Sequence, residues 1–313
     1  MEERLRTIRY ASRIGLFGNI VLATAKILVG FVSGSFAVIS DGLDSASDVL
    51  TFSVSLFATR VMKRPPDYKF PYGYQRAEAV ATKVLSFIIF FVGAQLFYSS
   101  LERIITGDPH SFPSPIAIYV TIFSIFSKAA LAWYQLQKGK KVESPILKAN
   151  GKNMRNDILI SLSVLLGLFF TYQLHLPILD LITALGISLW IMKEAFMIFM
   201  ESNLELMDGV EDTSLYYKIF DAVEEVEGAY NPHRVRLRKH ATQYVIALDI
   251  EVQPDIKISE AHQIAKKVEK NIRENVCNTY DVMVHTEPLG NQEREQFGLS
   301  REKMDNGEFK HKP

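Results

Sequence analysis

Ser40-Asp41-Gly42-Leu43-Asp44-Ser45-Ala46-Ser47-Asp48 lies inside an apolar run that reads from Ser35 to about Thr59. Asp44 and Asp48 are four apart, so in a helix their carboxylates stand one above the other on a single face. A later run carries Asn153 and Asp157 at the same spacing. Two such pairs of oxygen ligands can close on one cation. Asp and Ser also cap helices and open turns, and Asp41-Gly42 would then mark a helix start with Asp44 in its first turn. That alternative fails if the helix already runs through Ser35 to Ala37, which sets a carboxylate roughly 14 Å along a span at about 1.5 Å per residue. Ionisable groups at that depth are costly and mark function.

The chain has 313 residues, 48% of them hydrophobic, and a formal net charge of zero. No bulk charge points to nucleic acid. The average conceals a division: residues 11–200 are dominated by apolar runs, whereas 201–313 have the composition of a soluble domain. The single cysteine, Cys277, excludes an internal disulfide framework and a cysteine-rich zinc site. Six runs, near 11–33, 35–60, 79–104, 115–137, 146–173 and 178–200, reach the length of about 20 residues that a membrane crossing needs. The first is expected to remain as a helix, because Arg4, Arg6, Arg9 and Arg13 precede a full-length span without a small-residue cleavage site. Lys and Arg are concentrated at the N-terminus, at Arg60 to Arg76 and at Lys138 to Lys141, so these segments and both termini are expected to face the cytoplasm.

Within the spans, Lys26 reads as structural, able to snorkel or to pair with an acid. Ser33-Gly34-Ser35 turns the chain straight back. Two prolines make Lys63 to Asp67 a loop. The third and fourth runs read as scaffold, with Lys83 and Lys128 as their interior charges. Asp157 by itself admits a capping role; together with Asn153 and the first pair it reads as a ligand. Beyond Asp208 the periodicities change to helix at about 213–226, strands at 233–239 and 243–252, helix at 259–275 and a strand at 281–285. This α-β-β-α-β order suits a small sheet with two helices. The reading divides the chain into a membrane domain at 1–207, a cytosolic domain at 208–290 and a charged tail at 291–313 without apolar periodicity, expected to be disordered or frayed.

These features together resemble the cation diffusion facilitators, proton-coupled exporters of divalent transition metals. The resemblance rests on Ser40 to Asp44 with Asp48, on Tyr72-Gly73-Tyr74-Gln75-Arg76-Ala77-Glu78, on Asn153 with Asp157, and on Val284-His285-Thr286-Glu287-Pro288. It implies an α-helical membrane protein with six transmembrane helices and an α+β ferredoxin-like cytosolic domain. It also implies a homodimer in the cell (inner) membrane, with transport-site ligands at Asp44, Asp48, Asn153 and Asp157. Zinc-selective branches carry histidines among these positions. Here all four are oxygen donors, which implies manganese first, iron(II) second and zinc third. The family pattern further points to a cytosolic metal site at His233, Asp249, His262, His285 and Glu287, and to pairing of Arg76 with Asp208. Tyr74 stands where the zinc pattern has a histidine, which argues against a loop metal site at Asp67.

Two other classes fit the sequence less well. A membrane-anchored metal sensor does not need acids facing each other in two spans. An intramembrane aspartyl hydrolase accounts for neither Asn153 nor the cytosolic domain. Neither a cofactor nor covalent chemistry is expected; the metal is cargo.

Overall fold

The computed structural model describes residues 2–62, 64–74, 76–106, 112–141, 145–210, 212–240, 243–290 and 297–306. The chain divides into two compact units, one of residues 1–63 and 80–200, the other of 64–79 and 201–313.

The first unit is built on six long helices: α1 (Glu2–Ser33), α2 (Phe36–Met62), α3 (Ala77–Thr106), α4 (Ile116–Lys141), α5 (Pro145–Leu174) and α6 (Ile178–Leu206). All but α2 are long and apolar enough to cross a membrane. Among the described residues five helices thus meet that measure where six spans were expected, because Asp41, Asp44 and Asp48, with several serines, dilute the apolar character of α2. Ala37 and Val38 of α2 nevertheless share one buried cluster with Leu85 and Ile89 of α3, Val164 of α5 and Ile191 of α6.

Chain reversal between α1 and α2 is a local event. Gly34 adopts φ 71°, and the Ser35 N–H donates to the Gly30 carbonyl at 3.1 Å, which closes the end of α1 in a left-handed turn. The start of α2 is capped from a distance. Asp180, buried in the first turn of α6, accepts from Ser35 Oγ at 2.6 Å and from the Phe36 N–H at 2.7 Å. A carboxylate is the favoured charge at that helix end. Further along, a Cβ on Gly42 would stand 2.9 Å from the Ile27 nitrogen and 3.0 Å from Lys26 Cβ, so only glycine lets α1 and α2 approach this closely.

The second unit contains α7 (Ser214–Glu224), β1 (Tyr230–His240), β2 (Gln243–Val252), α8 (Ile258–Asn275), β3 (Thr279–Pro288) and α9 (Arg301–Asp305). The sheet order is β1-β2-β3, with β1 antiparallel and β3 parallel to β2. A hairpin leaves β1 and β2 antiparallel, and the α8 crossover makes β3 parallel. Ile246, Leu248 and Ile250 of the central strand are buried with Ile219 and Phe220 of α7 and Ile272 of α8. The architecture is α+β with a three-stranded mixed sheet.

The tail departs from its expectation over 297–306. Val235 and Leu299 exchange backbone hydrogen bonds at 2.9 and 3.0 Å, Leu299 and Met304 pack on the core, and Ser300 caps α9. Two apolar anchors docking on a preformed core need no periodicity, which is why none is visible in the sequence. Residues 291–296 and 307–313 lie outside the described residues.

Candidate metal centre

Because α2 begins at Phe36, Asp44 lies eight residues into it, about 12 Å along at roughly 1.5 Å per residue, and is no first-turn cap. Asp157 lies twelve residues into α5, likewise far beyond capping range. The helices pack against each other, and Asn153 Nδ2 donates to Asp48 Oδ1 at 3.4 Å. Asp44, Asp48, Asn153 and Asp157 line one cavity of about 100 Å³. A wider cavity of about 310 Å³ shares Asp48, Thr51 and Asn153 with it and continues past Gly15 and Gln135. The donors are all oxygens, a set suited to hard divalent cations that retain water.

Four polar groups around this cluster were not anticipated. Asp41, one turn before Asp44 but on the inner side toward α1, is fully buried and bonds Lys26 at 2.7 Å. Ser161 of α5 donates to both Asp41 oxygens at 2.9 and 3.0 Å and also accepts from Lys26 at 3.0 Å, so it ties α1, α2 and α5 together. Lys128, read from the sequence as scaffold, lies 3.1 Å from Asp157 with its side chain fully buried. Glu194 of α6 lines the small cavity as well. The signal that could have found these residues is the rarity of charge inside apolar runs; their partners were hidden because each sits on another helix.

In the second unit, the loop before α3 is closed by hydrogen bonds to Asp67. Tyr74 donates to Asp67 Oδ2 at 2.5 Å, and the Lys69 and Phe70 N–H groups donate to Oδ1 at 2.8 and 2.9 Å. The Tyr74 hydroxyl, followed by the Phe70 N–H, holds the Asp67 carboxyl below its ordinary range. Arg76 reaches Asp208 as a close ion pair and donates to the Leu206 carbonyl at 2.9 Å. Both side chains are about two-fifths exposed (40% and 43%), so the ion pair orients the chain after α6 more than it stabilises it, at about 0–1 kcal/mol.

The sheet brings three of the five expected cytosolic residues together. His233 is registered opposite Asp249, and ligand atoms of His233, Asp249 and Glu287 all lie within 4.8 Å of one another. His233 Nδ1 faces the Asn231 carbonyl at 2.7 Å; donating there, the ring turns Nε2 toward Glu287 at 3.3 Å. His285 stands at the rim, exposed, 3.6 Å from Glu287, and His262 is exposed on α8 outside the cluster. Sequence reading passed over Arg234. The irregular register of β1 and φ 47° at Arg234 aim its guanidinium inward, 2.7 Å from Asp249 and 4.0 Å from Glu287.

Acids and an amide converging between packed helices of an apolar bundle, joined to an α+β unit, define a metal-cation transporter. The chain matches the family model of the cation efflux transmembrane domain over residues 12–207 and that of the cation efflux protein cytoplasmic domain over 212–289. It belongs to the cation efflux, or cation diffusion facilitator, family, and is a multi-pass membrane transporter of divalent metal cations with a cytoplasmic C-terminal domain. It is 30% identical over 278 residues to the manganese efflux system protein MneS of Bacillus subtilis (strain 168), across 88% of this chain and 94% of that one. It is also 30% identical to the magnetosome protein MamB of Magnetospira sp. (strain QH-2), across 87% and 92%. A solved metal-bound C-terminal domain of the CzcD transporter from Thermotoga maritima is 39% identical, covering 26% of this chain and 93% of that one with a TM-score of 0.25.

Proposed function

We propose that this protein exports Mn(II) from the cytoplasm in exchange for protons, with Fe(II) and Zn(II) as poorer cargo. The observation that carries the reading is the convergence of Asp44, Asp48, Asn153 and Asp157 on one small cavity between α2 and α5. Three carboxylates offset a dication, and Asn153 adds a neutral carbonyl. With no imidazole in the set, a six-coordinate cation keeping some water is favoured over tetrahedral zinc. The relatedness to MneS supports manganese.

In this reading α2 is the sixth span, its acids turned to the bundle interior, and both termini face the cytoplasm of the cell (inner) membrane. The wider cavity, reached past Gly15 and Gln135, is the cytoplasmic approach to Asp48 and Asn153. Alternating access rocks helices around a nearly fixed site, and acids crowded in a low dielectric exchange protons for the cation. The domain at 208–290 joins two copies of the chain, with Arg76 and Asp208 holding the connection after α6 in register. The cluster of His233, Asp249 and Glu287 is a metal site of that domain.

Counter-transport by the purified protein in proteoliposomes, with Mn, Fe and Zn in competition and a proton gradient imposed, tests the reading. Mn uptake driven by the gradient and lost in Asp157→Ala is expected. Zinc moved better than manganese would overturn the selectivity, and transport indifferent to the gradient would overturn the coupling.

A further inference from the structure

Lys128 stands on the inner stripe of α4, where Thr121, Ser124 and Ala132 are buried at three- and four-residue steps around it. Its side chain is fully buried and its ammonium has one charged neighbour in contact, Asp157 at 3.1 Å. The other buried lysine of the bundle is held differently. Lys26 is fixed by Asp41 at 2.7 Å, Ser161 at 3.0 Å and Ser45 at 3.4 Å. By contrast, among the described residues neither Lys128 Nζ nor Asp157 Oδ2 makes a hydrogen bond of sound geometry. Lys26 is clamped in place; Lys128 is attached by charge alone, to a carboxylate that faces the cavity.

The charges count in the same direction. Among the buried or cavity-lining charges of α1, α2, α4 and α5, four aspartates (Asp41, Asp44, Asp48, Asp157) less two lysines (Lys26, Lys128) leave a formal charge of minus two, which one dication neutralises. Glu194 also borders the cavity, half-exposed on α6, and stands outside that count. Without Lys128 the same bound cation would leave an uncompensated negative charge in a low dielectric, where such charges are costly.

We infer that Lys128 is a tethered counter-charge of the transport site: its ammonium competes with the metal for Asp157, keeping the bound cation exchangeable and the loaded site neutral. The residue acts through Asp157 and is a positioning residue; it touches no cargo. The inference rests on the proposed transport function. It predicts a change of affinity opposite to that of a packing defect, because loss of a competitor tightens metal binding whereas loss of packing loosens it.

The test uses full-length protein in detergent, Mn2+ as the probe, equilibrium dialysis for affinity and proteoliposomes for rate, all at one fixed pH. Lys128→Met and Lys128→Gln are expected to bind Mn2+ about tenfold or more tightly, a change of about 1.4 kcal/mol, and to export it several-fold more slowly at saturation. Lys128→Arg, which keeps the charge, is expected to stay close to wild type in both. Unchanged or weaker binding in the neutral variants overturns the inference, as does failure of both to fold while Lys128→Arg folds, since the lysine is then needed for assembly alone. The two proposals separate cleanly: the share of wild-type Mn2+ binding that Asp48→Ala removes belongs to the membrane site, and its presence upholds the transport reading whatever the lysine variants do. Wild type that binds no Mn2+ overturns both.

Discussion

Lys26 of α1 and Asp41 of α2 form an ion pair at 2.7 Å with side chains 1% and 0% exposed, made possible by the close approach at Gly42. Removing one partner strands a charge in the bundle, which costs about 3–5 kcal/mol, whereas removing both leaves packing to replace the pair. Lys26→Met and Asp41→Leu are therefore each expected to lower thermal stability in detergent strongly, and the double variant to recover most of the loss. A double variant as unstable as the worse single one would remove the case for direct pairing.

Selectivity follows from ligand hardness at Asn153. Asn153→His places an imidazole at the same helical position, so the Mn to Zn transport ratio should fall about tenfold or more while transport persists. The ratio measured at fixed pH in wild type and variant decides it. An unaltered ratio would mean that these four side chains do not set the preference.

Arg234 occupies the acids of the cytosolic cluster, 2.7 Å from Asp249. A metal must share or displace that guanidinium. In full-length protein carrying Asp48→Ala to silence the membrane site, Arg234→Ala should bind Mn or Zn about tenfold more tightly, and a further His233→Ala should abolish the gain. Binding that ignores both substitutions would make the cluster a purely structural ion network.

The Asp67 and Tyr74 loop carries a pH signature. Asp67 is held below its ordinary range, first by the Tyr74 hydroxyl and then by the Phe70 N–H. A depressed folded value means that the stabilisation is complete above the ordinary, unfolded value and is lost as pH falls through the lower, folded one. Tyr74→Phe removes the largest cause, so Asp67 should titrate at higher pH in that variant, readable from its carboxyl carbon resonance. Coincident midpoints in the two proteins would show that the hydroxyl contributes nothing.

How much of this was legible beforehand depends on distance along the chain. Asp44 with Asp48 and Asn153 with Asp157 share faces because helix geometry is local, and the α-β-β-α-β order of the second unit follows from periodicities of the same kind. Family membership was legible for that reason too. All six runs were read by length; five of them are helices apolar enough to cross a membrane among the described residues, and α2, diluted by its aspartates and serines, falls short of that measure.

What the sequence alone determined is which residues face inward and which segments form helix or strand, since hydrophobic spacing acts over a few residues. Only the tertiary structure decided which charge meets which. Asp180 caps a helix 144 positions away, Ser161 bridges to an aspartate 120 positions away, Lys128 reaches Asp157 across a helix pair, and two register shifts turn Arg234 onto the acids of the cytosolic cluster. Those pairings follow from how helices cross and strands slip. The buried charge itself is visible in one dimension, but the partner that makes its burial tolerable is chosen in three.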